Sequence, residues 1–315
     1  MLALGIDVGG TNIRFGVFDG SQMVDSMRLE ANLSHHCQAI SSESAALEVV
    51  RILSGEIVNI IDKHHDIAAV GIGFPGFIHP LSKKVIQSPN LPGLSYFDLR
   101  GELASILDLP VSIENDANAA AYGEYYLLED STESLIYLGL GTGVGSGFVL
   151  NGKPYTGQHG VAMEVGHMIV EPDGRPCGCG NKGCMEQYAS ASGVAMSYFK
   201  ASKKLLTAHE IANLASAGDK FAIQSYALAA RVLGQSLANL LKVLDVKNVV
   251  IGGGMTGAWP LMEKTFKARF EADLIPALRG DIKIKISTAE DTAGMLGAAM
   301  LSAAMLSAAM SAKRD

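Results

Sequence analysis

The chain has one tryptophan in 315 residues, 6% aromatics and only 18% charged residues, well under the ~25% charge of an average soluble domain. Its 25 Lys and Arg stand against 32 Asp and Glu, a net charge of −7, with no basic block. That balance argues against nucleic acid as the main partner. At 48% hydrophobic residues the chain is also too apolar to be disordered. Cysteine is scarce: of Cys37, Cys177, Cys179 and Cys184, three crowd into eight positions. A disulfide framework would be more dispersed, so metal ligation in a reducing cytoplasm is expected. Met1–Gly10 lacks a basic start and Asp7 interrupts its apolar run, so no secretory leader is expected. One long uncharged run exists, Ala293–Ala312, and ~20 residues is spanning length. It holds three leucines among Ala, Ser, Gly and Met, which insert weakly, so no membrane span is expected. Its AAMLS unit repeats every five residues and advances about 140° per repeat on a helix, so no single apolar stripe forms. A buried terminal helix packed to about Leu301, with a less ordered remainder, is the expectation.

Glycine is abundant, at 35 residues of 315, against an average near ~7%. Many sites therefore need tight turns or close backbone approach. Leu2–Asp7 reads as a strand, Val8–Asn12 as a turn, Ile13–Phe18 as a second strand and Gln22–Leu29 as a third. Helical spacing covers Ser44 to about His64, then a buried strand Ile67–Gly73 ends in Phe74-Pro75-Gly76. A helix Asp98–Leu107, a strand Val111–Ile113 and a helix Ala117–Leu128 follow. Near residue 131 the pattern restarts: strand Ser134–Leu140, turn Gly141-Thr142-Gly143, strand Gly145–Leu150. Thr207 and Glu210 form a capping box, a long helix spans about Asp219–Leu244, and strand Asn248–Ile251 runs into Gly252–Gly254. Strand Ile282–Ser287 precedes the terminal helix. Two strand, Gly-rich turn, strand units predict two related α/β domains facing each other across a cleft, with mixed sheets. The expected division is 1–116, completed by the terminal helix 294–315, and 117–293, which carries a metal loop at 167–184.

Asp7-Val-Gly-Gly-Thr11, with Arg14 beyond, joins two strands. Backbone N–H groups at such a turn can point at phosphate oxygens, and a preceding Asp would tolerate phosphate through Mg²⁺. A plain hairpin is the alternative for either turn alone. Together with Gly141–Gly145 and Gly252–Gly254 the balance moves to a nucleotide site. Asp116 lies between a strand and a helix, where it could be an N-cap or a general base on a hydroxyl that attacks a phosphoryl group. His167 with Cys177, Cys179 and Cys184 supplies one imidazole and three thiolates, enough for a closed tetrahedral Zn²⁺. Glu164 and Glu186 flank that loop. A metal-bound imidazole keeps its second nitrogen as a donor, which beside two carboxylates suits a polyhydroxylated ligand such as a sugar.

Asp7–Thr11, Gly73–Gly76, Glu114–Asp116, Gly139–Gly143, Glu164–His167, Cys177–Cys184 with Glu186, and Gly252–Gly254 together resemble the ROK family (repressors, open reading frames and sugar kinases) of the actin-like ATPase fold. The resemblance implies that Gly9, Gly10, Thr11, Thr142 and Gly143 hold ATP phosphates, with Gly253 and Gly254 beside the adenosine and Asp7 acting through Mg²⁺. It implies Asp116 as base, Asn90, Asn115, Glu164, His167 and Glu186 on sugar hydroxyls, and the Gly76 loop against the sugar. Structural Zn²⁺ on His167, Cys177, Cys179 and Cys184 would orient the substrate indirectly. Family repressors carry a helix-turn-helix ahead of the kinase-like part. Here the first strand begins almost at Met1, so a cytoplasmic enzyme, and a homodimer or higher oligomer by family habit, is the expectation. The implied activity is ATP-dependent phosphorylation of a hexose at the 6-hydroxyl, glucose first. N-acetylmannosamine, N-acetylglucosamine and allose or fructose are rival acceptors, and a non-catalytic sugar-sensing regulator or a sugar-independent ATPase are rival classes.

Overall fold

The computed structural model describes residues 1–39, 41–128, 133–289 and 291–312. They fold into two compact units, one of Met1–Thr132, Gly147–Ala162 and Asp291–Asp315, the other of Glu133–Ser146 and Met163–Glu290.

The first unit opens with β1 (Leu2–Val8), β2 (Asn12–Asp19) and β3 (Gln22–Glu30), then α1 (Leu33–Ala39), α2 (Ser42–Lys63) and β4 (Ile67–Phe74). Three short strands follow, β5 (Phe77–Ile78), β6 (Val85–Gln87) and β7 (Ser95–Phe97), which pair into a small sheet of their own. Then come α3 (Leu99–Leu107), β8 (Val111–Asn115) and α4 (Asp116–Tyr126). The main sheet runs β3-β2-β1-β4-β8. β4 is flanked by parallel partners and covered on both faces, so only Ala68 in it escapes full burial and its sequence is an unbroken apolar run. Edge strand β3 is the opposite, largely exposed and carrying Asp25, Arg28 and Glu30, charges that discourage further pairing. The parallel register sets Asp7 beside Gly73, and Gly73 beside Glu114. One row across three strands thus delivers three of the sequence motifs to the carboxyl end of the sheet.

The second unit begins with β9 (Leu135–Leu140), and β10 (Val144–Leu150) crosses from one unit to the other before β11 (Lys153–Pro154). Helices α5 (Glu186–Ala189), α6 (Ala191–Ser202), α7 (Ala208–Ser216) and α8 (Lys220–Leu244) lead to β12 (Asn248–Gly252), α9 (Trp259–Asp273) and β13 (Lys283–Ile286). The sheet order β11-β10-β9-β12-β13 repeats that of the first: third, second and first strand, then two later ones. The capping box on α7 forms as expected, with Thr207 and Glu210 bonding reciprocally.

The terminal helix α10 (Thr292–Ala312) returns to the first unit. Its burial ends at Ser302, close to the expected Leu301, but the helix itself continues to Ala312, which corrects the expectation of a less ordered remainder. Residues 313–315 lie outside the described residues, as do 129–132. Close packing explains the odd composition of this helix. A Cβ on Gly5 would lie 1.9 Å from the Met295 carbonyl oxygen, and one on Gly71 1.8 Å from that of Ala298. A Cβ on Gly123 would lie 2.0 Å from the Ala293 oxygen, and one on Gly297 1.7 Å from the Ala119 oxygen. Backbone lies against backbone, so glycine and alanine are required where leucine would be too large. α8 and α10 are long and apolar enough to cross a membrane by length and composition, and about half of the most apolar stretch of each is buried within the protein. The contact-defined division at 132 also differs from the expected one at 116, because α4 packs on α10 and β4 of the first unit.

Candidate active site and metal centre

In the first unit, the turn between β1 and β2 closes through Gly9 N–H to the Asn12 carbonyl at 2.9 Å. The Thr11 carbonyl accepts from Ala31 and Asn32, and the Gly10 carbonyl from Ser34, each at 2.9 Å. Asp7 sits at the head of this turn. Burial raises its carboxyl pKa, and the Arg14 guanidinium, 3.2 Å away, opposes that rise. Arg14 also reaches Asp291, ahead of α10, at 2.9 Å. A half-buried carboxylate with one partial neutraliser fits a divalent cation that brings its own phosphate and water ligands.

Asn115 ends β8 and caps α4, its side-chain oxygen accepting from Ala117 at 3.0 Å and Asn118 at 3.1 Å. Asp116 is therefore the first residue of the helix rather than its cap, half-buried, with Oδ1 accepting from Ala117 N–H at 2.9 Å. The Asn115 amide donates to the Gly76 carbonyl at 3.1 Å, so the Gly76 loop and the start of α4 are one construction. Gly76 has φ +150° and a Cβ there would lie 2.5 Å from the Gln87 oxygen, which leaves glycine as the residue that fits. Ser88 bonds the Pro75 carbonyl and starts the loop that carries Asn90. Glu114 is buried beneath this arrangement, paired with Lys83 at 3.0 Å and accepting from Asn118 at 3.3 Å. Lys83 escaped the sequence reading because 31 positions separate it from its partner and nothing local marks it.

In the second unit, Gly141 N–H closes the β9–β10 turn onto the Gly143 carbonyl at 3.0 Å. The Gly141 and Thr142 carbonyls accept from Ala191 and Ser192. Gly252 pairs with Gly139 in register, and Gly253, at φ +85°, would place a Cβ 2.5 Å from the Leu140 oxygen. The third glycine segment is thereby seated beside the second turn. A Cβ on Gly141 or on Gly254 would meet no atom within 4 Å, so both positions face open space. Glu186, the first residue of α5, accepts from Val144 N–H at 3.1 Å, and its carboxylate would lie 2.3 Å from a Cβ on Gly143. That link of Glu186 to the turn was not legible from spacing.

Glu186 Oε1 is also 3.9 Å from Cys177 Sγ, at the edge of the candidate metal centre. Cys177 Sγ stands 3.6 Å from His167 Nδ1 and Cys179 Sγ 3.6 Å from Cys184 Sγ, with all four donor atoms within 4.8 Å of one another. Zn–S bonds of ~2.3 Å imply S···S edges near ~3.8 Å in a tetrahedron, so the donor set fits Zn²⁺. Burial, and after it the neighbouring thiols of Cys179 and Cys177, push the Cys184 thiol up to about 12, a penalty that a cation among them would remove. With Nδ1 facing the sulfurs, Nε2 of His167 faces Glu164 at 3.8 Å. Burial raises the Glu164 carboxyl pKa; His167 lowers it and Glu186 raises it further. Arg175 anchors the loop. Its guanidinium donates to the Gln187 and Gly193 carbonyls and to Ser197 Oγ, and lies 4.4 Å over the Tyr188 ring.

The sequence model of the ROK family matches residues 3–305. The glucokinase of Halalkalibacterium halodurans is 33% identical over 319 residues, covering 93% of this chain and 92% of its own. The N-acetyl-D-glucosamine kinase of Salmonella typhimurium is 35% identical over 307 residues, covering 94% and 97%. The crystal structure of a ROK family glucokinase from Streptomyces griseus, in complex with glucose and AMPPNP, superposes with TM-score 0.79 at 30% identity, over 96% of this chain and 100% of that one. With two sheets of the same order, two glycine turns and a Cys₃His cluster in the predicted sequence order, the chain has the actin-like ATPase fold and belongs to the ROK family.

Proposed function

We propose that the chain is an ATP-dependent hexose kinase that phosphorylates the 6-hydroxyl, with glucose as first acceptor. The observation that carries this reading is the start of α4: Asn115 takes over its capping, and Asp116 follows two residues after Glu114, the position that the parallel register of β1, β4 and β8 sets level with Asp7 at the carboxyl ends of those strands. In this reading Asp116 takes the hydroxyl proton as the oxygen attacks the γ-phosphorus and ADP leaves. Asn90, Asn115, Glu164, His167 and Glu186 hold sugar hydroxyls, and the Gly76 loop lies against the ring. The turns of Gly9, Gly10 and Thr11 and of Thr142 and Gly143 hold the phosphates, while Gly253 and Gly254 border the adenosine. Mg²⁺ at Asp7 would neutralise charge on the phosphates. Zn²⁺ on His167, Cys177, Cys179 and Cys184 would hold Nε2 of His167 as a fixed donor. The proposal includes a cytoplasmic homo-oligomer.

A second acceptor, N-acetylglucosamine, is favoured by the 35% identity to the Salmonella kinase. A panel of hexoses and N-acetylhexosamines with coupled ADP detection ranks the two by kcat/KM. Asp116→Asn is expected to lower kcat by about 10²–10⁴-fold, the usual worth of a general base, while sugar binding persists. Activity of the variant within tenfold of wild type would remove Asp116 from its role. Absence of turnover on every sugar in the panel would remove the kinase reading itself.

A further inference from the structure

A short helix joins two loops of the first unit that the function assigns to different ligands. Ser34, in the first turn of α1, donates its backbone N–H to the Gly10 carbonyl at 2.9 Å and its hydroxyl to the Asn90 carbonyl at 2.7 Å. A Cβ on Gly10 would lie 2.3 Å from Ser34 Oγ and 3.8 Å from the Asn90 oxygen, so turn, serine and loop are in close contact. α1 also holds the far side of the loop, where a Cβ on Gly93 would lie 3.7 Å from the Cys37 carbonyl oxygen. Three internal bonds, Leu91 to Ser88, Leu94 to Leu91 and Ser88 to Leu94, each 3.2 Å, tie residues 88–94 into one piece. Ser88 fastens that piece to Pro75, next to Gly76. A displacement of Gly10 is therefore passed through one side chain to both the Asn90 loop and the Gly76 loop.

We propose that Ser34 is a positioning residue that couples nucleotide and sugar binding. This rests on the reading above, with the Gly9–Thr11 turn on phosphates and the Asn90 loop on sugar. Nucleotide at the turn holds the Gly10 carbonyl, Ser34 and Asn90 in the arrangement that receives sugar. By reciprocity, sugar on the loop steadies the turn. A hydroxyl residue is required because one residue must present a backbone donor to Gly10 and a side-chain donor to Asn90. Leu33 and Cys37, both buried in the core, seat α1 independently of that hydroxyl, so its loss leaves the helix in place.

The test is calorimetric titration of glucose and N-acetylglucosamine with and without saturating Mg–AMPPNP, on wild type, Ser34→Ala and Ser34→Thr. Nucleotide is expected to tighten sugar binding about 5–10-fold in wild type and less than twofold in Ser34→Ala, with recovery in Ser34→Thr. At saturating ATP the sugar KM of Ser34→Ala rises by a similar factor while kcat changes less. A second measurement needs no variant: Mg–AMPPNP alone should slow amide exchange at Leu91 and Leu94 in wild type. Full coupling retained in Ser34→Ala, no coupling in wild type, or unchanged exchange at those amides overturns the proposal. A wild type that phosphorylates sugar yet gives one of these results loses only the role of Ser34, whereas a wild type without sugar kinase activity loses the parent reading.

Discussion

The Gly9–Thr11 turn and the Gly141–Gly143 turn each follow the central first strand of a five-stranded sheet of the same order, yet their neighbours differ in chemistry. Against the first lies a neutral hydroxyl, Ser34, and at its head a carboxylate partly neutralised by Arg14. Against the second lies the Glu186 carboxylate, which also touches the Cys₃His cluster. The means of support differ as well. The first unit is clamped by α10 laid backbone to backbone on β1, β4 and α4. The loop before Glu186 has almost no apolar core, since 171–182 is mostly exposed, and is held by its thiols, by Arg175 and by the bridges Ile169–Cys184 and Pro176–Lys182. One copy of the scaffold is thus supported by packing, while the other offers a Cys₃His donor set that could take a metal where a short exposed loop cannot bury enough surface to order itself.

The largest effect is expected where packing is the support. Gly71→Ala places a methyl 1.8 Å from the Ala298 oxygen and should cost about 3 kcal/mol in urea unfolding. Gly55→Ala, facing open space on α2, should instead stabilise by up to ~1 kcal/mol. Equal effects at the two sites would break the packing half of the comparison. Next comes the metal. Cys179→Ser, or chelation, should weaken sugar binding about tenfold to a hundredfold and raise amide exchange over 168–184, with β1, β4 and β8 unchanged. Normal sugar affinity in metal-free protein would separate the cluster from the site. Glu186→Gln probes the join between cluster and turn. Its amide oxygen still accepts from Val144, so the sugar KM should rise about tenfold while the ATP KM stays within about twofold. A rise in the ATP KM alone would move Glu186 from sugar to nucleotide.

The smallest effect is expected at the sheet edge, far from either turn in sequence, where His64 bonds Asp25 at 2.8 Å. That bond lowers the Asp25 carboxyl pKa below its ordinary 3.8. The stabilisation is therefore present above that value and is lost as pH falls through the lowered one. Exposed pairs contribute under ~1 kcal/mol, so His64→Ala should shift Tm slightly and flatten only the acid limb of its pH profile. A large shift at neutral pH would show the edge to be a stronger support than its exposure allows.

Strong local signals were legible in the chain. Thr207 and Glu210 marked a helix start, helical spacing marked α3, whose expected first residue Asp98 proves to be its cap, and the apolar run of β4 marked a buried strand. Helix α1 was not, because seven residues are too few to establish a period, and Ser34 is distinguished only by partners at positions 10 and 90. The strands β5–β7, of two or three residues each, carry no alternation to read. Of the site, the Cys₃His cluster was the most legible part, since its ligands are close in sequence and chemically distinctive. Lys83 beneath Glu114 was the least, since burial of an ion pair leaves no local trace.

The sequence by itself determined the alternation of strands and helices, the repeated glycine turns and the donor set for a metal, because each depends on residue type and short spacing. Only the tertiary structure decided that Asn115 rather than Asp116 caps α4, that Glu186 reaches the second turn, and that the terminal helix lies backbone against backbone on its neighbours and continues to Ala312. These depend on which backbones come within touching distance, and that distance is set by the whole sheet and its covering helices rather than by any stretch of chain read alone.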